Sequence, residues 1–331
     1  MASGDSLATL AWALGASGRK GREEARQALA SGQIPGAERE AAARDALARA
    51  AQCGFTWYPA DEPSFPPSLA ALSDPPLGLF LKGHWPQGPT VAIVGSRRAS
   101  AYGREVATYL GRELARAGVW VVSGMARGVD AAAHRGALEG GGTTVAVWGA
   151  GCDRVYPPEH RELAEAIGQA GGIVTEYPPG TPPRRENFPE RNRLIAGLAQ
   201  VLVVVEADER SGALLSARLA LDEGREVMAV PGSVFSPLSA GPNGLLRAGA
   251  APVLSAQDVL DVLGLAQPAA KPVAEQPERG LLGFFPKGMA LTVDEVAQRC
   301  GRSVAELLPE LTELELSGTL VREPDGRLRR T

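Results

Sequence analysis

Arginines and one aromatic side chain crowd into residues 184–193, which read R-R-E-N-F-P-E-R-N-R. Arginine forms bidentate pairs with phosphate groups, and an accessible aromatic ring can stack on an unpaired base. Glu186 and Glu190 are the only opposing charges in the stretch. These residue types could therefore bind a single nucleic-acid strand by its phosphates and its bases. The stretch alone leaves an alternative open, in which Phe188 belongs to the core and the arginines form surface ion pairs.

A second candidate anion site is the sequence G-S-R-R at residues 95–98, which follows the apolar run Val91–Val94. An unbroken apolar run is typical of a strand buried on both faces of a parallel sheet. A helix is predicted to follow over about residues 102–117. Ligands of open α/β sheets bind at the carboxyl ends of the strands, close to helix N-termini that favour anions. A dinucleotide site is disfavoured, because its fingerprint requires a second glycine where this chain has Arg97.

Two further loops are predicted between a strand and a helix; the first contains glycines and the second is followed by Gly212. One reads S-G-M-A-R-G at residues 123–128, and the other reads E-A-D-E-R-S at residues 206–211 and leads into a helix. Glycines let backbone amides approach a ligand, and helix N-termini add partial positive charge. Such loops are common singly, but four of them at one rim of a sheet predict a shared phosphate-binding site. The carboxylates Glu206, Asp208 and Glu209 leave a second possibility open, an enzyme in which one of them is a catalytic acid.

The elements that must position these loops alternate between apolar runs and helical segments. Strands are predicted at 91–94, 119–122, 144–148, 173–175, 201–205 and 227–230, and helices near 129–138, 159–169, 191–198, 213–223, 244–248 and 256–263. Strands that alternate with helices of this length form right-handed βαβ units. The predicted fold class is therefore α/β, a doubly wound Rossmann-like parallel sheet, flanked by a small N-terminal helical domain and a C-terminal winged-helix-like domain.

The predicted domain boundaries follow changes in composition. Residues 1–58 are rich in Ala, Leu, Arg and Glu and indicate a helical, SAM-like domain. Residues 59–264 form the predicted Rossmann-like domain, which begins with a proline-rich connector and an edge strand at 77–82. Residues 265–279 are rich in Pro, Ala and Gln and predict a linker.

Residues 280–331 resemble a winged helix, with a helix at 294–300, a second helix capped by Ser303 and a hairpin with an Asp-Gly turn. The second helix, at 304–317, has four glutamates and no lysine or arginine. Carboxylates that faced phosphates would repel them, so this helix is predicted not to read duplex DNA, and a protein contact or a regulatory role is favoured. Pro309 predicts a kink or a later start of the helix.

The overall composition narrows the function classes. A net charge of −4 over 331 residues counts mildly against non-specific duplex binding by the whole surface, but it allows a local basic groove. The sequence has neither an apolar stretch of about 18 residues nor a signal pattern, so no membrane association is expected. The three cysteines and three histidines lack metal-ligand spacing. A cytoplasmic protein without a metal or a cofactor is therefore predicted.

Five segments in consistent order resemble the DNA processing protein A (DprA, or Smf) family. They are V-A-I-V-G-S-R from residue 91, S-G-M-A-R-G-V-D-A-A-A-H from 123, E-Y-P-P-G-T-P-P-R-R-E-N-F-P-E-R-N-R-L-I-A-G-L from 176, E-A-D-E-R-S-G-A-L from 206 and A-V-P-G from 229. The resemblance covers about residues 60–260, and the flanking segments also fit the multidomain members of that family.

The resemblance implies a non-enzymatic protein that binds single-stranded DNA, forms a homodimer and delivers the RecA recombinase to incoming strands during natural transformation. By motif, Arg97 would hold a phosphate, Arg185 would stand where the family often has a lysine, and Phe188 would stack on a base. The other site residues that it implies are Gly95, Ser96, Gly124, Arg127, Asn192, Arg193, Ser211 and Gly212. The alternative is a phosphoribohydrolase-like enzyme on the same scaffold, although the P-G-G-x-G-T loop of those enzymes is replaced here by E-A-D-E-R-S-G-A-L.

Overall fold

The structure is a computed structural model of the chain, and it describes residues 4–265, 280–285, 290–323 and 326–330. The chain forms two compact units, residues 1–267 and residues 268–331. Each unit contains its own β-sheet and its own apolar core.

The first unit is built on a nine-stranded sheet. In chain order its strands are β1 (Thr56–Pro59), β2 (Gly78–Gly83), β3 (Thr90–Val94), β4 (Trp120–Ser123), β5 (Thr144–Trp148), β6 (Gly172–Thr175), β7 (Val201–Val204), β8 (Glu226–Ala229) and β9 (Ala251–Pro252). Across the sheet the order is β1-β2-β6-β5-β4-β3-β7-β8-β9. In this spatial order, the seven strands β6, β5, β4, β3, β7, β8 and β9 are parallel to one another. The predicted α/β class is therefore confirmed. The predicted edge strand at 77–82 is wrong in one respect, because β2 pairs with β1 on one side and with β6 on the other.

Helices cover both faces of this sheet. They are α1 (Gly4–Ala13), α2 (Gly18–Ala30), α3 (Ala37–Gln52), α4 (Pro67–Ala70), α5 (Ala101–Arg116), α6 (Val129–Glu139), α7 (Arg161–Ala170), α8 (Asn187–Leu198), α9 (Gly212–Asp222), α10 (Ala240–Arg247) and α11 (Ala256–Val262). Leu194 of α8 packs in the same buried cluster as Ala92, whereas Leu110 of α5 packs with Ile93. Successive side chains of a strand point to opposite faces, so β3 is buried on both sides and its sequence is apolar throughout.

The direction of winding reverses between β3 and β7. From β3 the chain adds β4, β5 and β6 on one side, and later segments add β7, β8 and β9 on the other. The helix after β3 packs on one face of the sheet, and the helix after β7 packs on the opposite face. The two connections therefore diverge and leave a crevice at the carboxyl ends of these strands, which is where open α/β sheets bind ligands.

The N-terminal helices belong to the same unit as the sheet. Leu10 of α1 and Ala46 of α3 lie in one buried cluster with Trp57, Phe80 and Trp148. The domain boundary that the sequence predicts after residue 58 instead falls inside β1. This strand is hydrogen-bonded to β2, and its Trp57 side chain is part of the shared core, so the polypeptide has no exposed linker at this point.

A largely buried ionic cluster, formed by Arg22, Asp74, Glu176, Glu190 and Arg193, joins the N-terminal helices to α8. The Arg22 side chain is 6% exposed, and its Nε donates to Asp74 Oδ1 at 3.1 Å. Its Nη1 atom lies 3.5 Å from Glu190 Oε2. Arg193 Nη2 donates to Glu176 Oε1 at 2.6 Å, and Arg193 Nε lies 3.6 Å from Asp74 Oδ2. Arg26 Nη2 also lies 3.6 Å from Asp74 Oδ1, so three arginines face three carboxylates that come from different parts of the chain.

The second unit has the strand and helix order of a winged helix. Its elements are β10 (Ala290–Leu291), α12 (Val293–Cys300), α13 (Val304–Leu316), β11 (Leu320–Arg322) and β12 (Leu328–Arg330), and the strand order is β10-β12-β11. Each element contributes a buried aliphatic side chain to the core, namely Leu291, Val296, Leu307, Leu320 and Leu328. The winged-helix-like domain predicted from the sequence is confirmed.

The helix ends of the second unit follow the signals in the sequence. α12 ends at Gly301, whose φ of 70° is in the left-handed region that favours glycine. Ser303 precedes α13 and forms a capping box with Glu306. Pro309 lies inside α13, so the predicted later start of this helix is wrong. Residues 266–279 of the predicted linker, and Pro324 and Asp325 of the predicted turn, lie outside the described residues.

Among the described residues, no helix combines the length and the apolar character that crossing a membrane requires.

We expect Arg22→Met to destabilise the first unit strongly. The change removes the guanidinium that faces Asp74, Glu176 and Glu190, and it leaves these carboxylates undercompensated. Breaking a buried ion pair from one side typically costs about 3–5 kcal/mol in the free energy of unfolding. Denaturant unfolding checks this value. Arg19→Met is the control, because Arg19 is exposed on the same helix, and equal unfolding midpoints for the two variants would contradict the expectation.

The contribution of Asp74 to stability is expected to depend on pH. Burial alone would raise the pKa of Asp74, but the hydrogen bond from Arg22 and the charges of Arg193, Arg22 and Arg26 outweigh it, so the pKa lies below its ordinary value. A carboxyl with a lowered folded-state pKa stabilises the protein above the unfolded pKa of about 4, and this stabilisation is lost as the pH falls through the folded pKa. The difference in unfolding free energy between the wild type and Asp74→Asn should therefore be largest near neutral pH and shrink in acid.

The matched control for this pH series is Asp61→Asn, which changes an exposed carboxylate of the same connector. Its unfolding free energy should follow that of the wild type at every pH. A constant difference between the wild type and Asp74→Asn across the series would overturn the assignment.

Candidate nucleic-acid interface

A cavity of about 680 Å³ opens at the carboxyl ends of β3 and β7. Its walls are the loop after β3, the segment that leads into α8, and the start of α9. The predicted site residues that line it are Gly95, Ser96, Arg97, Arg185, Phe188, Asn192, Ser211 and Gly212. Three of the four predicted loops therefore meet at the cavity, and most of their predicted site residues line it. The fourth loop, residues 123–128, contributes Ala126.

The loop after β3 is held by backbone hydrogen bonds to both sides of the crevice. Ser96 N donates to the carbonyl oxygen of Glu206 at 2.6 Å, and Val129 N donates to the carbonyl oxygen of Ser96 at 3.2 Å. A Cβ atom at position 95 would lie 2.8 Å from the Glu206 carbonyl oxygen and 2.6 Å from a methyl group of Val129. Glycine is therefore required at this position for close packing, and the loop presents Arg97 and Arg98 on a fixed backbone.

The Glu206 carboxylate is directed into the protein, at the start of α5. It is 3% exposed, and its Oε2 atom accepts a hydrogen bond from Ser100 N at 2.8 Å. Ser100 is the N-cap of α5, where the helix dipole stabilises a negative charge. A Cβ atom at Gly103 would lie 2.2 Å from Glu206 Oε2, so the helix approaches this carboxylate closely. Glu206, one of the acids considered for catalysis, is thus engaged in capping a helix.

The aromatic ring of Phe188 lies half-buried at the wall of the cavity. The guanidinium carbon of Arg97 lies 4.9 Å from the centroid of this ring, which is a cation–π contact. The ring of Tyr156 lies 5.5 Å from the same centroid. Phe188 is thus neither sunk in the core nor freely exposed, and Arg97 and Phe188 meet although they are far apart in sequence.

One face of α8 lines the cavity. Phe188, Asn192 and Ile195 are spaced i, i+4 and i+7, which places them on the same side of a helix. Asn192 Nδ2 donates weakly to the Gly212 carbonyl oxygen at 3.4 Å, so it spans the gap between α8 and the start of α9. Arg185 precedes the helix and is exposed at the same rim. The exposed charged side chains around the cavity are thus Arg97, Arg98 and Arg185, opposed by Asp208.

Beneath this face, Arg191 and Asp130 form a buried support for the loop at residues 123–128. Arg191 Nη1 donates to the carbonyl oxygen of Gly124 at 2.8 Å and also to that of Val147. Asp130 Oδ2 accepts hydrogen bonds from Gly124 N at 3.1 Å and Ala126 N at 3.3 Å. Burial lowers the pKa of Arg191 to about 10 and is opposed by the charge of Asp130, so the guanidinium remains protonated at neutral pH. Arg191 serves here to hold the backbone.

Three predicted site residues do not line the cavity. Arg193 belongs to the ionic cluster, because adjacent residues of a helix point about 100° apart and Asn192 already faces the cavity. Arg127 is exposed and pairs with Glu159. Gly124 lies behind Arg191, since a Cβ atom there would be 2.5 Å from Arg191 Nη2. The sequence did not single out Tyr156, which carries no motif and reaches the cavity from the loop before α7.

Residues 4–265 and the described parts of the second unit contain no group of side chains that could bind a metal ion. No three side chains of His, Cys, Asp or Glu approach one another closely enough there to hold an ion.

Two family models match the chain in succession. The model described as DNA recombination-mediator protein A matches residues 56–264, and the model described as the DprA winged helix domain matches residues 265–326. Protein Smf of Escherichia coli K12 is 39% identical over 291 residues, which are 82% of this chain and 77% of the relative.

Two solved structures share the fold. The X-ray structure of DNA processing protein A from Streptococcus pneumoniae has a TM-score of 0.69 and 33% identity, and the match covers 79% of this chain and 98% of that one. A structure of the Helicobacter pylori protein, described in terms of its single-stranded DNA binding mode, has a TM-score of 0.57 and 32% identity over 64% of this chain and 97% of that one. The chain, from β1 through the winged helix, therefore belongs to the DNA recombination-mediator protein A family, which is also called DprA or Smf.

Proposed function

We propose that this protein binds single-stranded DNA without acting on it chemically, protects incoming strands and loads the RecA recombinase onto them in natural transformation and recombination. The observation that carries the proposal is the contact between Arg97 and Phe188 inside the crevice of the sheet. It joins a cation suited to a phosphate with a ring suited to a base, which are the two components of non-specific single-strand binding.

The surroundings of this contact favour a polyanion. Arg98 and Arg185 extend the positive charge along the rim, and Ser211 caps α9 with its N-terminus beside the cavity. Gly212 begins α9, is exposed, and has open space where a side chain would be. Backbone amides and the dipole of this helix can therefore approach a phosphate. Charges and donors of this kind recognise the DNA backbone and would give little sequence preference.

The geometry favours an unpaired strand over a duplex. A base can reach the half-buried ring of Phe188 only if it leaves the stack of its own strand, which costs less in single-stranded DNA. The Helicobacter pylori protein, whose structure is described in terms of its single-stranded DNA binding mode, shares 32% identity with this chain, and this supports the same assignment. RecA as a partner, the homodimer and the cytoplasmic location follow from the family resemblance and are part of this proposal.

The winged helix is proposed to contact protein rather than duplex DNA. α13 has no lysine or arginine. Two arginines around it are bound to its own carboxylates, with Arg302 Nη1 at 2.8 Å from Glu310 Oε2 and Arg322 Nη2 at 2.8 Å from Glu315 Oε2. A helix with this charge would repel the phosphates of a major groove.

The alternative of a phosphoribohydrolase-like enzyme is disfavoured, because Glu206, one of its candidate catalytic acids, is buried and caps α5. Asp208 and Glu209 are exposed, and Asp208 Oδ1 accepts a hydrogen bond from Arg210 N at 2.9 Å. Release of free base from any member of a nucleotide panel would contradict the non-enzymatic assignment.

Arg97→Ala and Arg185→Ala are each expected to weaken the binding of labelled oligo-dT. When one phosphate contact is missing, binding releases fewer counterions from the DNA. The slope of log K against log salt concentration should therefore become shallower by about 0.7 in each variant. Titrations at several salt concentrations measure this slope. Arg116→Ala is the control, because Arg116 is exposed at the opposite end of α5. Unchanged affinity and slope in both cavity variants would refute the proposed phosphate contacts.

Phe188→Leu is expected to weaken oligo-dT binding by about 1–3 kcal/mol, the range found for loss of one base–aromatic stack. Phe188→Tyr keeps a flat ring and should bind as the wild type does. Thermal unfolding of both variants separates a loss of stacking from a loss of fold. Equal affinity of the leucine and tyrosine variants would show that the ring does not stack on a base.

A further inference from the structure

Arg127 lies exposed beside the cavity and is bound to a carboxylate of a neighbouring loop. Ala126, the residue before it, lines the cavity. The Arg127 side chain is 58% exposed, and its Nε donates to Oε1 of Glu159, whose side chain is 48% exposed. Ion pairs between exposed side chains contribute little to stability, because water screens both charges. Another anion can therefore replace Glu159 at Arg127 at a small cost.

The backbone that carries Arg127 is held between two neighbouring loops. On one side, Gly128 has a φ of 76°, and a Cβ atom there would lie 2.2 Å from the Ser96 carbonyl oxygen, in the loop after β3. On the other side, His160 Nδ1 donates to the Met125 carbonyl oxygen at 3.0 Å. The loops after β3, β4 and β5 are thus packed against one another in that order, and the Arg127 side chain starts from a fixed backbone.

Tyr156, on the same loop as Glu159, exposes aromatic surface beside the ring of Phe188. It lines the cavity, is 38% exposed, and its ring lies 5.5 Å from the Phe188 centroid with the two planes inclined by 35°. The ring of Phe188 is partly covered, since the guanidinium of Arg97 lies over it and a Cβ atom at Gly149 would be 3.0 Å from its Cδ1 atom. Part of the aromatic surface that is open to a base therefore belongs to Tyr156.

Tyr156 also lies close enough to Arg127 to interact with it electrostatically. The hydrogen bond and the charge of Glu159 raise the pKa of Arg127, and Tyr156 adds to this effect. Tyr156 and Arg127 thus repeat, on the adjacent loops, the combination of a ring and a cation that Phe188 and Arg97 form in the cavity. An aromatic ring for a base and a cation for the backbone are what a single-strand site requires.

We propose that the DNA site extends from the cavity over the loops after β4 and β5, where Tyr156 provides a second aromatic surface for a base and Arg127 exchanges Glu159 for a phosphate of the strand. The inference rests on the proposed function, since it deepens the same site. In the free protein Glu159 holds the guanidinium that the phosphate takes over. The exchange is favoured because the phosphate contact releases counterions from the DNA, whereas Glu159 returns to water.

The aromatic part of the inference is tested by titrating full-length variants with labelled oligo-dT of about sixteen nucleotides. Tyr156→Leu should weaken binding by about 5- to 150-fold, the loss expected for one base stack. Tyr156→Phe keeps the ring and should bind as the wild type does. Thermal unfolding of both variants separates a loss of stacking from a loss of fold.

The exchange is tested by two substitutions that break the same ion pair from its two ends. Arg127→Gln removes the phosphate contact, so it should weaken binding and make the slope of log K against log salt concentration shallower by about 0.7. Glu159→Gln removes the competing anion and should strengthen binding at low salt, by up to about fivefold. Glu139→Gln removes an exposed carboxylate at the far end of α6 and is the control, which should leave the affinity unchanged.

An ion pair with a purely structural role would give a different result. Arg127→Gln and Glu159→Gln would then weaken binding alike, because both break the same bond, and this outcome or unchanged affinity in both would overturn the exchange. Equal affinity of Tyr156→Leu and Tyr156→Phe would overturn the aromatic part. Failure of the proposed function is distinct from these outcomes, since it would leave Arg97→Ala and Phe188→Leu with wild-type affinity.

Discussion

The reversal of winding between β3 and β7 is the constraint on which the binding cavity depends. These strands are hydrogen-bonded neighbours, yet the helices that follow them pack on opposite faces of the sheet. The gap between the two connections has to be spanned by polar contacts, and the bond from Ser96 N to the Glu206 carbonyl oxygen and the capping of α5 by the Glu206 carboxylate do so. The same contacts fix the backbone that presents Arg97. A buried carboxylate at a strand end is thus part of the architecture.

Helix α8 links the cavity to the rest of the first unit through three different sides. Phe188 and Asn192 face the cavity, Arg191 bonds the backbone beneath it, and Arg193 joins the ionic cluster with Arg22. The helical period of 3.6 residues distributes neighbouring residues among these tasks. The position of the Phe188 ring is therefore set by contacts on the far side of its helix as well as by those around the ring.

Much of the fold could be predicted from the sequence because strands buried on both faces leave uninterrupted apolar runs. The runs at Val91–Val94 and Thr144–Trp148 correspond to strands with nearly the same bounds. β1 was missed, since T-W-Y-P is short and contains a proline, and its pairing with β2 depends on a long-range contact.

The sequence predicted which loops form the site, but not which side chains of α8 face the cavity. Loop membership follows from the local pattern, so the residues around Arg97 and Phe188 were found. Which of Asn192 and Arg193 faces the cavity depends on the rotation of α8, and the rotation is fixed by Arg22 and Asp74, far away in sequence. Arg127 pairs with Glu159 across a loop for which no local signal exists.

The way in which β1 and the N-terminal helices complete the first unit bears on how the protein can be divided. A fragment that began at residue 59 would lose three of the four residues of β1, and it would remove Leu10 and Ala46 from the buried cluster that contains Phe80 and Trp148. It would also lose Arg22 and Arg26, which are two of the three arginines that lie near Asp74. Truncation at this position would thus alter the support of α8, and a weakened affinity of such a fragment for DNA would not mean that the N-terminal helices touch the strand.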